Sequence, residues 1–339
     1  MLKEHEIRPK GYEKIYESLR NREIEEMVRE ASFVSVPCVA CGSTNLETKF
    51  VKNRFTFQEC LQCGTLLVNP RPSASDLAEW YKTSESIRYF AKEVFLPTED
   101  TRRQEIFLPR ANLVLSLLGK AGYHTEDRAV CLLDVGCAVG TFLELLKGLT
   151  KFKLTGVDPD KESVEECKRK GIHVLHSTFE EADLGGEKLD VITCFELIEH
   201  LFNPRLFLRK VKNLLTNRGV LILTTPNLNG FDFAMLGRNY ANVNAPNHLN
   251  YFNPSSISLM LELEGYKFKG LETPGKLDVD IVRNNWHDVA DTLKTPFFEQ
   301  ILLPDGEFYE TRRKAFQVFL SKYGLSGNML VVAENGGAA

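Results

Sequence analysis

The sequence of 339 residues has no apolar run approaching the 18 or so that a membrane-spanning helix needs, which excludes a transmembrane reading. Nor is there an excess of either charge, since 42 Lys and Arg stand against 46 Asp and Glu for a formal charge of −4. A chain this near neutrality sets up no global field with which to grip nucleic acid or an anionic membrane. Internal repeats and low-complexity tracts are missing. With 43% apolar and 26% charged residues, the disordered, collagen-like and coiled-coil classes are excluded too. The opening residues, Met1-Leu2-Lys3-Glu4-His5-Glu6, are too charged for a secretory signal, so the expected location is the cytoplasm. What remains is a globular protein of about two domains, at roughly 150 residues each.

Cysteine is present in a pattern. Cys38-Val-Ala-Cys41 and Cys60-Leu-Gln-Cys63 are two C-x-x-C pairs separated by 18 residues, a spacing that suits a four-cysteine zinc site. Gly42 and Gly64 follow the second cysteine of each pair and permit the tight turn that lets both thiolates face one ion. A closed tetrahedral Cys₄ site is structural, because it keeps no open position for chemistry. Zinc is expected over disulfides, which a cytosolic chain disfavours, and over a redox pair. The other four, Cys131, Cys137, Cys167 and Cys194, sit singly in apolar surroundings and read as small hydrophobes.

Residues 11–30 place Ile15, Leu19, Ile24 and Met27 at helical spacing. The cysteine region 35–70 reads as a β-ribbon with strands at Thr48–Val51, Phe55–Glu59 and Thr65–Val68, closed by Asn69-Pro70-Arg71-Pro72. Its Phe50, Phe55 and Phe57 read as a small core rather than as a platform for bases, and its slight basic surplus is no phosphate footprint. Residues 75–120 read as helices. From residue 128 strands and helices alternate, with strands at Val130–Val135, Lys153–Val157, Ile172–Leu175, Val191–Phe195, Gly219–Thr224, Tyr266–Leu271 and Met329–Ala333. Asn203-Pro204 and Asn253-Pro254 are N-cap and first-turn pairs opening two of the helices. Repeated βα units predict an α/β fold with a doubly wound, mostly parallel sheet. Residues 276–327 read as a helical insertion, and Gly336-Gly337-Ala338-Ala339 as a frayed tail.

The turn after the first strand, Asp134-Val135-Gly136-Cys137-Ala138-Val139-Gly140, lacks the middle glycine of a nicotinamide loop. The acid before its first glycine would repel a pyrophosphate and suits a ligand carrying an amine or sulfonium. Asp158, 24 positions on at the tip of the second strand, can accept bonds from two ribose hydroxyls.

These residues resemble the first and second motifs of class I S-adenosylmethionine (SAM)-dependent methyltransferases, with Ala138 where a glycine is usual. Leu189–Leu201 and Gly219–Asn227 resemble the fourth- and fifth-strand motifs. Pro70-Arg71-Pro72 and Asn247-His248-Leu249-Asn250-Tyr251-Phe252 look like a bacterial subgroup similar to ubiquinone-pathway and glycan-modifying O-methyltransferases. The resemblance implies a Rossmann-like seven-stranded sheet with an N-terminal zinc ribbon and helical additions. It implies SAM with its methionine end over Gly136, Cys137, Ala138 and Gly140 near Asp134, and its ribose on Asp158. Adenine is then expected between Pro159 and Phe179 near Thr178, with Phe195 and Glu196 closing the other side; Phe179 and Phe195 read equally well as plain core aromatics.

The expected division is a helical segment 1–34, zinc ribbon 35–72, helical linker or lid 73–127, SAM-binding core 128–275 with 328–335, and insertion 276–327. Methyl transfer to oxygen needs a base, and His200 and His248 lie in loops expected at the carboxyl edge of the sheet, with Glu196 or Glu199 to orient His200; the alternative for each is a structural histidine bonded to a backbone carbonyl and holding its loop. Arg238 is a candidate anion contact, and no carboxylate cluster suggests a catalytic magnesium. The expected function is methyl transfer from SAM to a small-molecule or glycan acceptor, at oxygen, with carbon and nitrogen the other options for the acceptor atom. Structural Zn²⁺ is the second cofactor, and no membrane or nucleic-acid partner is expected. The alternatives are a non-catalytic SAM-binding scaffold and an RNA-modifying enzyme that uses the ribbon. Oligomeric state is left open.

Overall fold

The computed structural model describes residues 2–337, so the tail residues Ala338 and Ala339 lie outside the described residues. Helix α1 (Glu13–Glu30) buries Ile24 and Met27 as the periodicity predicts, but Ile15 is 52% exposed. The helix is rotated by two demands the apolar pattern does not contain. Tyr12 and Tyr16 pack on Phe90 at 5.5 and 5.4 Å, and Glu23 turns inward to accept hydrogen bonds from Trp80, Ser84 and Ser86.

Three antiparallel strands follow: β1 (Leu46–Lys52), β2 (Phe55–Cys60) and β3 (Leu66–Val68), each within two residues of its expected position. Helix α2 (Ala74–Thr83) starts one residue before the expected helical region and is capped by Ser73, with its hydroxyl accepting from the Asp76 N–H at 3.2 Å. Helical turns then continue to α3 (Leu108–Lys120), which leads into the main sheet.

That sheet is built by β4 (Cys131–Val135), α4 (Thr141–Leu149), β5 (Lys153–Asp158), α5 (Lys161–Arg169), β6 (Val174–His176), β7 (Leu189–Phe195), α6 (Pro204–Leu214) and β8 (Leu215–Pro226). After a short strand β9 (Asn250–Tyr251) come α7 (Pro254–Leu263), β10 (Tyr266–Glu272) and β11 (Asn328–Asn335). The seven strands lie in the order β10-β11-β8-β7-β4-β5-β6, with only β11 antiparallel to its neighbours. Asn203 and Asn253 cap α6 and α7 as expected, and the stretch 276–327 is largely helical. Alternate residues face opposite cores, which is why these strands read as unbroken apolar runs. Leu133, Ile192 and Leu221 enter one cluster, and Leu132, Val191 and Val220 enter the other with α3 and α4.

The ribbon is not a separate bead. Strand β9 pairs with β3, extending the ribbon sheet to the order β9-β3-β2-β1. Cys38 and Cys60 share a core with Ile198, Phe207 and Phe252, while Phe55 and Phe57 pack with Phe231, Met235 and Leu249. Phe57 is fully buried, stacked on Phe50 at 4.8 Å and tilted toward Tyr251 at 5.9 Å. Replacing Phe57 by Ala is expected to cost about 3–5 kcal/mol and to lower one cooperative melting transition. A calorimetric scan in which the variant ribbon melts as a separate earlier peak would contradict this shared core.

Candidate active site

Asp134, Gly136, Cys137, Ala138, Gly140 and Asp158 come together at the carboxyl ends of β4 and β5. Thr193 donates its hydroxyl to Asp134 Oδ1 at 2.6 Å, and burial pushes the Asp134 carboxyl up to about 7 while the bond from Thr193 and the charge of Arg110 oppose that rise. Asp158 accepts from the Ala138 N–H at 2.8 Å and from the Asp160 N–H at 2.9 Å, so it fixes the loop as well as ending the strand; burial raises it also. Ala138 is exposed at the tip with φ +46°, a left-handed geometry that costs a side chain about 1–2 kcal/mol. Gly140 has φ +73° and opens α4, and a Cβ there would stand 2.7 Å from Ile172 and 2.8 Å from Cys167 Sγ. Cys137 and Cys167 are buried as expected, yet not isolated: both thiols donate to the Ala138 carbonyl, at 3.8 and 3.1 Å, where the close approach of α4, β5 and α5 leaves room only for small side chains.

The opposite wall has a member that sequence reasoning missed. Arg110 of α3 lies 4.8 Å over the Phe195 ring, with Nη2 4.0 Å from Glu196 Oε1. Burial lowers its pKa, opposed by the charges of Glu196, Asp134 and Glu199. Its only signal in the sequence is its place on the helix leading into the first strand. Glu196 itself has φ +50° and is held through Oε1 by Thr224 at 2.6 Å and Asn328 at 2.7 Å.

Three expected residues sit further along. Pro159 is exposed, with its carbonyl 3.1 Å from His176 Nε2, and Thr178 donates to Glu181 at 3.2 Å. The Phe179 ring is turned into the core, 5.1 Å from Phe207 and with Lys210 Nζ at 5.0 Å. Arg238 is exposed on the turn Gly237–Asn239.

His200 and His248 meet edge to face, with ring centroids 4.6 Å apart. His200 Nδ1 is 2.8 Å from the Asn247 carbonyl, which only accepts, so Nδ1 carries the proton and Nε2 presents a lone pair. Tyr81 donates to the same carbonyl at 2.9 Å. Glu199 is 1% exposed; Thr225 donates to Oε2 at 3.0 Å, whereas Oε1 lies 3.9 Å from His200 Nε2. Among the described residues, Glu199 Oε1 and His248 Nδ1 are buried atoms without a hydrogen-bond partner. Burial raises Glu199 well above the ordinary carboxyl range and lowers both histidines, His248 further through repulsion from His200. Burial thus disfavours the charged form of all three groups. Glu199, His200 and His248 also offer ligand atoms within 4.8 Å of one another, a spacing that a cation can bridge.

Comparison with known proteins bears on this edge. Residues 96–269, half of the chain, match the family described as a methyltransferase domain. The chain belongs to that family. The SAM-dependent methyltransferase so defined is 29% identical over 189 residues to a ubiquinone biosynthesis O-methyltransferase of Rickettsia canadensis, covering 52% of this chain and 77% of the relative. It is 26% identical over 173 residues to the protein of that name from Azorhizobium caulinodans, covering 48% and 67%. A solved SAM-dependent methyltransferase from Archaeoglobus fulgidus aligns over 66% of this chain and 94% of its own, at 20% identity and a TM-score of 0.43.

Beside the methyltransferase core the four cysteines converge. Cys38 and Cys63 Sγ are 3.5 Å apart, as are Cys41 and Cys60 Sγ, and all four lie within 4.8 Å of one another. A tetrahedral ion with sulfur ligands at ~2.3 Å would place sulfurs about 3.8 Å apart, so the donor set fits a metal. Gly42 and Gly64 make the expected turns, their N–H groups donating to the Cys38 and Cys60 carbonyls at 2.8 Å.

Gly140→Ala is expected to destabilise the methyltransferase by about 1–3 kcal/mol, because the new methyl meets Ile172 and Cys167 at a left-handed φ. Denaturant unfolding measures it, and an unchanged midpoint would show that the loop yields.

Proposed function

We propose that this methyltransferase transfers the methyl group of SAM to a hydroxyl of a small-molecule or glycan acceptor, with His200 and His248 as the proton-accepting pair. The observation that carries the proposal is the half-buried imidazole pair, ring centroids 4.6 Å apart, set against the buried Glu199 carboxyl in the loops beyond β7 and before β9. A neutral amine attacks a sulfonium unaided, whereas a hydroxyl must lose its proton in or before the transition state, and an imidazole held below its usual pKa is free to take it. The O-methyltransferase names of the relatives support the same acceptor atom.

In this reading SAM lies across Gly136, Cys137, Ala138 and Gly140. Its amine faces Asp134, its ribose Asp158, and its adenine Pro159 and Thr178, with Phe179 backing that pocket from the core. Phe195, Glu196 and Arg110 close the other wall, where Arg110 supplies the charge that a carboxylate of the methionine end would seek. The protein aligns donor and acceptor in line and excludes water, while the sulfonium carries the activation. Zn²⁺ at Cys38, Cys41, Cys60 and Cys63 is proposed as the structural metal.

Incubation with methyl-labelled SAM and a panel of catechols and sugars should yield a methyl ether. His200→Gln or His248→Gln should cut turnover about 10²–10⁴-fold with S-adenosylhomocysteine affinity unchanged. Full turnover in both variants, or labelled methyl on nitrogen, would sink the proposal. Because burial lowers both imidazole pKa values, turnover should hold down to pH 6.5 and fall only below it as the rings take up protons. For the metal, one zinc per chain is expected by elemental analysis, with Cys60→Ser losing both the zinc and thermal stability. A purified chain without zinc, or a Cys60→Ser variant that retains it, would count against the assignment.

A further inference from the structure

The Pro70-Arg71-Pro72 segment is used by nothing in the methyl-transfer scheme, yet Arg71 is fully buried. No carboxylate is its partner. Nε donates to the Val68 carbonyl at 3.0 Å, Nη1 to the Phe202 carbonyl at 3.1 Å, and Nη2 to Asn250 Oδ1 at 3.0 Å and the Leu249 carbonyl at 3.4 Å. The guanidinium also lies 5.9 Å from the Phe202 ring centroid. Removing a cation from water without a counter-charge is costly. A planar fork of five N–H groups in fixed directions can tie several backbone segments at once, which a single ammonium cannot.

The segments it ties are the informative part. Val68 ends the third ribbon strand, Phe202 lies two residues after His200, and Leu249 follows His248 directly. Asn250 carries the linkage on. Its Nδ2 donates to the Leu201 carbonyl at 2.8 Å and the Glu199 carbonyl at 3.3 Å, and the N–H groups of Leu249 and Asn250 reach the Glu199 carbonyl at 2.9 and 3.1 Å. The Val68 N–H donates to the Leu249 carbonyl at 2.9 Å, and Asn253 Nδ2 donates to the Cys63 carbonyl at 3.1 Å. The loop bearing Glu199 and His200, the loop bearing His248 and the cysteine ribbon are thus fastened at one buried guanidinium.

We infer that Arg71 is a positioning residue for the His200–His248 pair, and that the cysteine ribbon serves the active site as a brace acting through this guanidinium. The importance of the brace for methyl transfer rests on the reading of those histidines given above; its existence does not. Arg71 touches no reacting atom. It sets where two rings stand, and a displacement of about 1 Å there is enough to cost on the order of 10² in rate.

The test uses the full chain with its bound metal and ring-labelled histidine. His200→Gln and His248→Gln assign their two imidazole signals among the seven histidines. Arg71→Met, which keeps the stem and loses every donor, should shift the His200 and His248 signals and leave those of His5, His124, His173, His176 and His287 in place. S-adenosylhomocysteine affinity by calorimetry should be unchanged, and turnover should drop at constant KM for SAM. Arg71→Lys should shift the same two signals by less, and it carries the test alone should the methionine variant not fold. Unmoved His200 and His248 signals in a folded variant would overturn the brace, as would equal displacement of all seven. Should both glutamine variants retain full turnover while Arg71→Met still moves the two rings, the base assignment fails and the brace stands.

Discussion

Along the carboxyl edge of the main sheet, loss of water acts on ionisable groups of both signs. Asp134 and Glu199 are pushed toward protonation, His200 and His248 toward their neutral forms, and the guanidinium pKa values of Arg110 and Arg71 are lowered as well. That desolvation follows from the architecture. Strands covered on both faces end in short turns, and the turns are roofed by α3, the ribbon and the 240–252 loop. A buried carboxyl raised in this way, as Asp134 is, ionises more readily when a cation comes beside it. An edge open to water would leave these groups at their ordinary pKa values and would not distinguish a cationic ligand from a neutral one.

The parts of the fold that obey local rules were legible in the chain. Period-two and unbroken apolar runs located the strands, Asn-Pro pairs located two helix starts, and C-x-x-C spacing located the four thiols. Each of those signals sits within a few residues of the structure it specifies. The glycine loop belongs with them, because left-handed geometry at positions 136 and 140 is a demand on single residues. Ile15 shows the limit: the face of α1 was chosen by Phe90 and by the hydroxyls around Glu23, partners about 60 or more residues away that no helical period encodes.

The candidate site divides along the same line. Asp134 and Asp158 were recognisable because a tight βα turn binds them to neighbouring glycines, and the two histidines because loop position alone brings them to the edge. Arg110 and Tyr81 gave no such signal, and Arg71 and Asn250, though they stand in the two stretches that resemble a subgroup, gave none of their role, since each acts on segments far away in sequence. Phe179 fails the other way. It stands where a stacking ring is expected, but Phe207 and Lys210 offer its ring a fully packed alternative, and packing prevails wherever no ligand competes for it.

The ribbon's sheet runs on into β9, and the residue before β9 is Leu249, next to His248. A loop carrying a titratable ring is ordinarily among the more mobile parts of a protein. Here that loop runs into the edge strand of a four-stranded sheet, and the four converging cysteines lie beside the end of that strand, where Asn253 donates to the Cys63 carbonyl. Rigidity is thereby imported from a small, cross-linked module to the place where a methyl transfer needs donor, acceptor and base held in line. An enzyme whose cofactor supplies the reactivity has little else to contribute than such alignment, which gives a physical reason for a four-cysteine ribbon to lie beside a methyltransferase core.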